Sequence, residues 1–204
     1  MTNKAYQTQK IFFALGTVCT LTVFGGDGIH TMTKAKARIL EIDRKVGCLN
    51  PAVCMMSKGY AAQEAGRILK EAGVREALIV IGETVVNIGS KRRVGLQNPF
   101  GTAGENFAYI DVEDKAVVST GLYHHGFDQH NKEDRRGDNA LAGLTLIGEN
   151  AVKLSALCNT ASSLSLSDAM ALLNDTEVEA IFITRSRKVF STNGLQKHSA
   201  RKAA

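Results

Sequence analysis

The sequence predicts an α+β fold, with a mostly antiparallel sheet and flanking helices. Three observations predict it. β-branched and aromatic residues gather in short runs, such as Glu76 to Ile81 and Val178 to Thr184. Several runs come in pairs around short polar turns, at 113–115 and 185–187. Three further stretches repeat apolar residues at steps of three and four, the period of a helix with one buried face.

The elements follow in order. Residues 1–10 read as a tail, and residues 11–24 as one strand entering the sheet. Met32, Ala35, Ile39, Ile42 and Val46 predict a helix over 31–46, with Gly47 as its stop. Residues 48–54 read as a short connector. Tyr60, Ala61, Ala65, Ile68, Leu69 and Ala72 share the face of a second helix that Gly73 ends. Lys58-Gly59-Tyr60 then falls at that helix's N-terminus, where free N–H groups and a lysine suit a phosphate. Strands are expected at 76–81, 84–88 and 93–97, and a hairpin from Phe107 to Val112 and Ala116 to Thr120. Residues 121–140 are the most polar stretch and hold three of the five histidines. Leu144 to Ile147 reads as a strand, 151–164 and 168–173 as helices, and 178–184 with 188–192 as a closing hairpin. These elements make one continuous domain over 11–195, followed by a basic tail at 196–204.

Composition bounds the function classes. The 204 residues are 44% hydrophobic with only 2 prolines and a net charge of +5, which excludes collagen-like, proline-rich and wholly disordered chains. No apolar run reaches the length of a membrane-spanning helix. Thr and Gly interrupt the apolar N-terminal run, so it reads as a strand rather than a signal peptide, and a cytoplasmic location is expected. Cys19, Cys48, Cys54 and Cys158 form no C-x-x-C pair and are expected as free thiols. Basic clusters at 91–93, 135–136, 185–188 and 197–202 accompany no nucleic-acid-binding signature and read as solvated loops and tail, so nucleic acid is not a favoured partner.

A series of segments then carries a family resemblance. Phe12 to Thr17 is similar to an F-x-M-G-T strand, and Lys34 to Asp43 to the helix after it. Lys58-Gly59-Tyr60-Ala61-Ala62 matches A-K-G-Y-A-A, and Arg93 to Pro99 is similar to W-x-V-G-I-Q-x-P. Val118 to Gly121 with Tyr123 resembles S-G-x-Y, and Leu154 to Ala161 falls at D-A-L-x-T-A. Ala180 to Thr184 and Phe190 to Gly194 match a final hairpin. In this order the motifs resemble those of the ApbE-type FAD:protein FMN transferases, over most of residues 11–195.

The resemblance implies an ApbE-like, T-fold-related architecture and a reaction. FMN passes from FAD to a Thr or Ser hydroxyl of an acceptor protein, with Mg²⁺ bound and AMP released. Such a transfer needs groups to hold the pyrophosphate, a cation to neutralise developing charge, and a base for the acceptor proton. By resemblance, Lys58, Gly59, Tyr60, Gly82, Thr120, Gly121 and Tyr123 contact flavin or pyrophosphate, and Ser155 and Asn159 stand at the metal positions. His130 or Asp134 assists proton transfer.

Three departures modify that expectation. Glu83 stands where the family has the second glycine of Gly-Gly-Asn, adding bulk and negative charge. Ser155 and Asn159, one helical turn apart, keep oxygen donors but supply no charge, so weakened metal binding is expected. Only residues 47–57 span an interval where the family has a longer segment that helps enclose the adenine half of FAD, so poor FAD affinity is expected. His124, His125, Asp128, His130 and Asp134 read either as a metal cluster or as an exposed polar loop. A non-catalytic flavin- or protein-binding relative, and a basic interaction protein, are the alternative functional readings.

Overall fold

In this computed structural model, which describes residues 6–26, 28–46, 50–102, 104–122 and 140–192, the first apolar run folds back on itself. Strands β1 (Gln7–Ala14) and β2 (Thr17–Phe24) form an antiparallel hairpin, where one strand is expected over 11–24. Leu15 and Gly16 turn the chain with φ of 52° and 68°, a two-residue turn whose twist suits a hairpin. Glycine adopts that conformation freely, whereas leucine does not. Leu15 is held there because its side chain is fully buried and its N–H donates to Asp43 Oδ1 at 3.0 Å.

Helix α1 (Ile29–Val46) buries Met32, Ala35, Ile39 and Ile42, as the periodicity requires. Helix α2 (Pro51–Glu71) begins earlier than expected. Asn50 caps it, its side chain accepting from the Val53 N–H at 2.9 Å, and proline suits the first helical turn, where an N–H is not needed. Two expectations are corrected. Residues 51–54 are helix rather than connector, and Lys58-Gly59-Tyr60 lies two turns inside α2. The N–H groups there are committed to intrahelical bonds, so they cannot cradle a phosphate. Cys54, in the first turn of α2, is disulfide-bonded, which corrects the expectation of four free thiols. Cys19 and Cys158 are free and buried; burial pushes the Cys19 thiol up to about 11 and the Cys158 thiol in the same direction. Cys48 lies outside the described residues.

The remaining elements are β3 (Ala77–Ile81), β4 (Thr84–Ile88), β5 (Arg92–Gln97), β6 (Asn106–Val112), β7 (Ala116–Gly121), β8 (Leu141–Gly148), α3 (Ala151–Ala161), α4 (Leu166–Asn174), β9 (Glu179–Thr184) and β10 (Val189–Ser191). Asn150 and Ser165 cap α3 and α4 with their side-chain oxygens. One sheet runs β1-β2-β3-β4-β7-β8-β9-β10, with antiparallel neighbours throughout the described residues. The α+β class and the closing hairpin are as the sequence predicts.

The hairpin expected between 107–112 and 116–120 does not form. β6 pairs with β5 in a separate two-stranded sheet, while β7 lies between β4 and β8. The outer face of β7, β8 and β9 presents Val117, Ile147 and Ile181, and β5–β6 covers them with Val94, Leu96, Ala108, Ile110 and Val112. Removing that apolar surface from water favours the crossing over a local hairpin. Asn87 fastens it, donating from Nδ2 to the carbonyls of Ser90 at 2.9 Å and Val112 at 3.0 Å.

The helices cover the opposite face of the large sheet, around Leu21, Ile79, Ile81, Leu144, Leu146, Leu154 and Phe182. On the outer face, the cover stops short of the β1 edge, where Ile11, Phe13 and Val18 are 64%, 69% and 56% exposed. Among the described residues, no helix is long and apolar enough to cross a membrane.

Candidate functional site

Lys58 projects from α2 toward the β3–β4 turn, and its side chain is 9% exposed. An ammonium group so far from water requires an anionic partner. Glu83 supplies it, with Oε2 3.1 Å from Lys58 Nζ. The adjoining Gly82 has a φ of 56°, and a Cβ added there would lie 3.1 Å from Lys58 Nζ and 3.2 Å from Thr17 Oγ1. Glycine therefore meets two demands at position 82, a left-handed backbone and close approach to a lysine. The turn is tied on both sides. The Gly82 N–H donates to the Val18 carbonyl at 3.4 Å, and the Glu83 carbonyl accepts from the Ser119 N–H at 3.1 Å.

Gly82 and Glu83 also close one end of a groove of about 430 Å³ on the outer face of the sheet. Leu78, Val80 and Val85 form its floor, and Arg93, Gln97 and Asn106 of β5–β6 form a polar wall. An apolar floor, a polar wall and a lysine behind the end turn suit a flat ring system carrying an anionic tail.

The other residues singled out by sequence fall in several places. Thr120 and Gly121 end β7 and are buried. Strand alternation puts Val118 and Thr120 toward the helices, and Val117 and Ser119 toward the groove. Ser119 is therefore the hydroxyl of this motif that lines the groove, with Oγ 2.9 Å from Thr145 Oγ1. The sequence reading missed it, although period-two alternation from the buried Val118 would have found it. Tyr60 lies on the flank of α2 that faces α1, and its hydroxyl accepts from Arg38 Nη2 at 3.0 Å. It is not brought to the Lys58 turn.

Gly59 and Ser155 form the crossing of α2 and α3. A Cβ at Gly59 would overlap Ser155 Oγ and lie 2.8 Å from the Ala151 carbonyl oxygen. Ser155 is fully buried, and its Oγ has no hydrogen-bond partner among the described residues. Asn159 lies one turn further along α3, half-buried. A divalent magnesium ion favours charged oxygen donors. Ser155 turns a neutral hydroxyl into a helix crossing, and the described residues gather no metal-holding group of His, Cys, Asp or Glu. These two residues do not fit a divalent ion. Tyr123, His124, His125, Asp128, His130 and Asp134 lie outside the described residues.

Comparison with known proteins sets this geometry in context. The sequence model of the ApbE family matches residues 52–182. The FAD:protein FMN transferase of Klebsiella pneumoniae (strain 342) is 28% identical over 144 residues, covering 66% of this chain and 45% of that protein. The FAD:protein FMN transferase of Buchnera aphidicola subsp. Baizongia pistaciae (strain Bp) is 27% identical over 111 residues, covering 48% of this chain and 33% of that protein. The chain thus spans less than half the length of these curated relatives. Among solved structures, the flavin transferase ApbE from Vibrio cholerae has a TM-score of 0.75 at 9% identity, covering 96% of this chain and 100% of that one. The apo form of Pseudomonas stutzeri flavinyl transferase ApbE has a TM-score of 0.73 at 13% identity, covering 97% and 99%. At such identities the likeness shows a shared fold.

Proposed function

The chain belongs to the ApbE family, and from that premise we propose that it is an FAD:protein FMN transferase. The observation that carries this reading is Lys58, held at the Gly82 turn at the end of an open groove, inside the segment that the family matches.

The substrates are FAD and an acceptor protein with a Thr or Ser hydroxyl. The hydroxyl oxygen attacks the phosphorus on the FMN side of the pyrophosphate, and the bond from that phosphorus to the bridging oxygen breaks. FMN is left as a phosphoester on the acceptor, AMP leaves, and the hydroxyl proton passes to a base. Lys58 meets the pyrophosphate, and Gly82 lets the backbone come close to it. The apolar floor of Leu78, Val80 and Val85 suits the flavin ring, with Ser119, Thr120 and Gly121 along the adjoining strand and Tyr123 assigned to the flavin by resemblance alone. His130 or Asp134 takes the acceptor proton. Mg²⁺ would supply charge neutralisation, but the donors at Ser155 and Asn159 do not suit it, and no step is assigned to it.

Two observations favour a second reading, a relative that binds flavin without transferring it. Lys58 already has a carboxylate partner in Glu83, and Ser155 is turned into a helix crossing. The two readings separate when the chain is incubated with FAD, Mg²⁺ and an acceptor carrying a D-x-x-S/T-G/S-A-T segment. Flavin fluorescence that stays on the acceptor through a denaturing gel is the outcome expected for transfer, with a loss of about tenfold or more in Lys58→Met. FAD binding with no covalent flavin selects the second reading, and absence of both rejects each.

A further inference from the structure

We propose that Glu83 is the residue that sets how readily an anion occupies Lys58, acting as an internal counter-ion that an incoming phosphate must displace. The inference rests on the reading above that an anionic ligand enters this groove.

Three observations lead to it. Lys58 is nearly buried, and Glu83 Oε2 sits 3.1 Å from its Nζ. Glu83 lines the groove and Lys58 does not, and the Glu83 side chain is the more exposed of the two, 25% against 9%, so the carboxylate is the member of the pair that the groove reaches. The Gly82 backbone packs directly against the ammonium, since a Cβ at position 82 would lie 3.1 Å from Lys58 Nζ, so Glu83 is held beside Lys58 by the turn itself. A phosphate approaching along the groove therefore meets a negative side chain before it meets the lysine. Like charges in a partly desolvated site repel strongly, and the same carboxylate competes for the same hydrogen-bond donors.

The glutamate also has a use when no ligand is present. A nearly buried ammonium group is strongly disfavoured unless an anion lies beside it. Glu83 provides that anion from a turn that the Val18 and Ser119 backbones hold at both ends. Lowered affinity for anionic ligands is the consequence, and it favours ligands whose remaining groups fill the groove well enough to displace the carboxylate.

Titration calorimetry with inorganic pyrophosphate, and separately with FAD, tests the idea on the wild type, Glu83→Gln, Glu83→Ala and the double variant Glu83→Gln with Lys58→Met. Glu83→Gln keeps the shape of the turn and removes the charge, and Glu83→Ala gives an independent second variant. Both are expected to bind pyrophosphate about tenfold more tightly than the wild type, and Lys58→Met is expected to abolish the gain. Unchanged pyrophosphate affinity in both single variants overturns the proposal, as does a gain that survives Lys58→Met. A pyrophosphate gain with no FAD binding in any variant upholds the role of Glu83 and rejects the flavin reading. FAD binding with no pyrophosphate gain does the reverse.

Discussion

On the helix side of the large sheet, side chains as different in size as Phe182 and Ala61 are completely buried. On the outer side, the same strands pass from a closed core under β5–β6 to Ile11, Phe13 and Val18 in solvent at the β1 edge. The groove lies between those two regimes, where the hairpin cover gives way. The contrast separates two jobs. The helix side holds the strands in register through continuous apolar burial. The outer side leaves the ends of β3, β4 and β7 accessible, and that is where Glu83 and Ser119 meet open space.

Large-to-small substitutions on each side sharpen the contrast most. Phe182→Ala on the helix side should cost about 3–5 kcal/mol of unfolding free energy, measured by chemical denaturation. Ile110→Ala within the smaller hairpin cover should cost about 2 kcal/mol. Equal losses would mean that the two faces share the structural load. Next in size is Gly59→Ala, which forces a Cβ into the α2–α3 crossing and should cost about 1–3 kcal/mol. Ser155→Gly should return part of that loss; no recovery would show that the crossing tolerates the change elsewhere. Asn50→Ala removes the α2 cap and should cost about 1 kcal/mol, without altering the pyrophosphate affinity proposed for Lys58.

The smallest expected effect is on the solvent face of the helices. Lys45 first and then Arg38 hold the Glu41 carboxyl well below its usual range, at about 2, while Arg67 and Arg38 lower Glu64, and Lys70 lowers Asp114. Each of these carboxylates is depressed on folding, so its contribution is present above the ordinary carboxylate range and is lost as pH falls through it. Unfolding free energy should therefore decline from about pH 4.5 toward about pH 2. Glu41→Gln should shrink that decline; an unchanged acid profile would remove the ion pairs from any stabilising role.

Much of this fold was legible because it is local. The α1 stripe, the glycine after α2 and the closing hairpin follow from residue spacing and turn chemistry alone. The start of α2 was legible too, since Asn50-Pro51 is a cap followed by a first-turn proline, although residues 48–54 read as a connector after the Gly47 stop. The turn at Leu15-Gly16 was not, because burial and a bond to Asp43 from α1 hold a leucine where isolated leucine seldom goes. At the site, Lys58, Gly82 and Glu83 could be named one by one, while their meeting could not.

The sequence by itself determined the α+β class, most of the strands and helices, and the resemblance that led to the ApbE family, because these depend on periodicity, caps and ordered motifs within short windows. Only the tertiary structure decided that β6 leaves β7 to cover the outer face, that Gly59 and Ser155 are a helix crossing, that Ser119 rather than Thr120 lines the groove, and that Glu83 partners Lys58 across 25 residues of chain. Those pairings are set by which apolar surfaces bury one another and which charges must be matched once water is gone, and neither is a property of any short stretch of sequence.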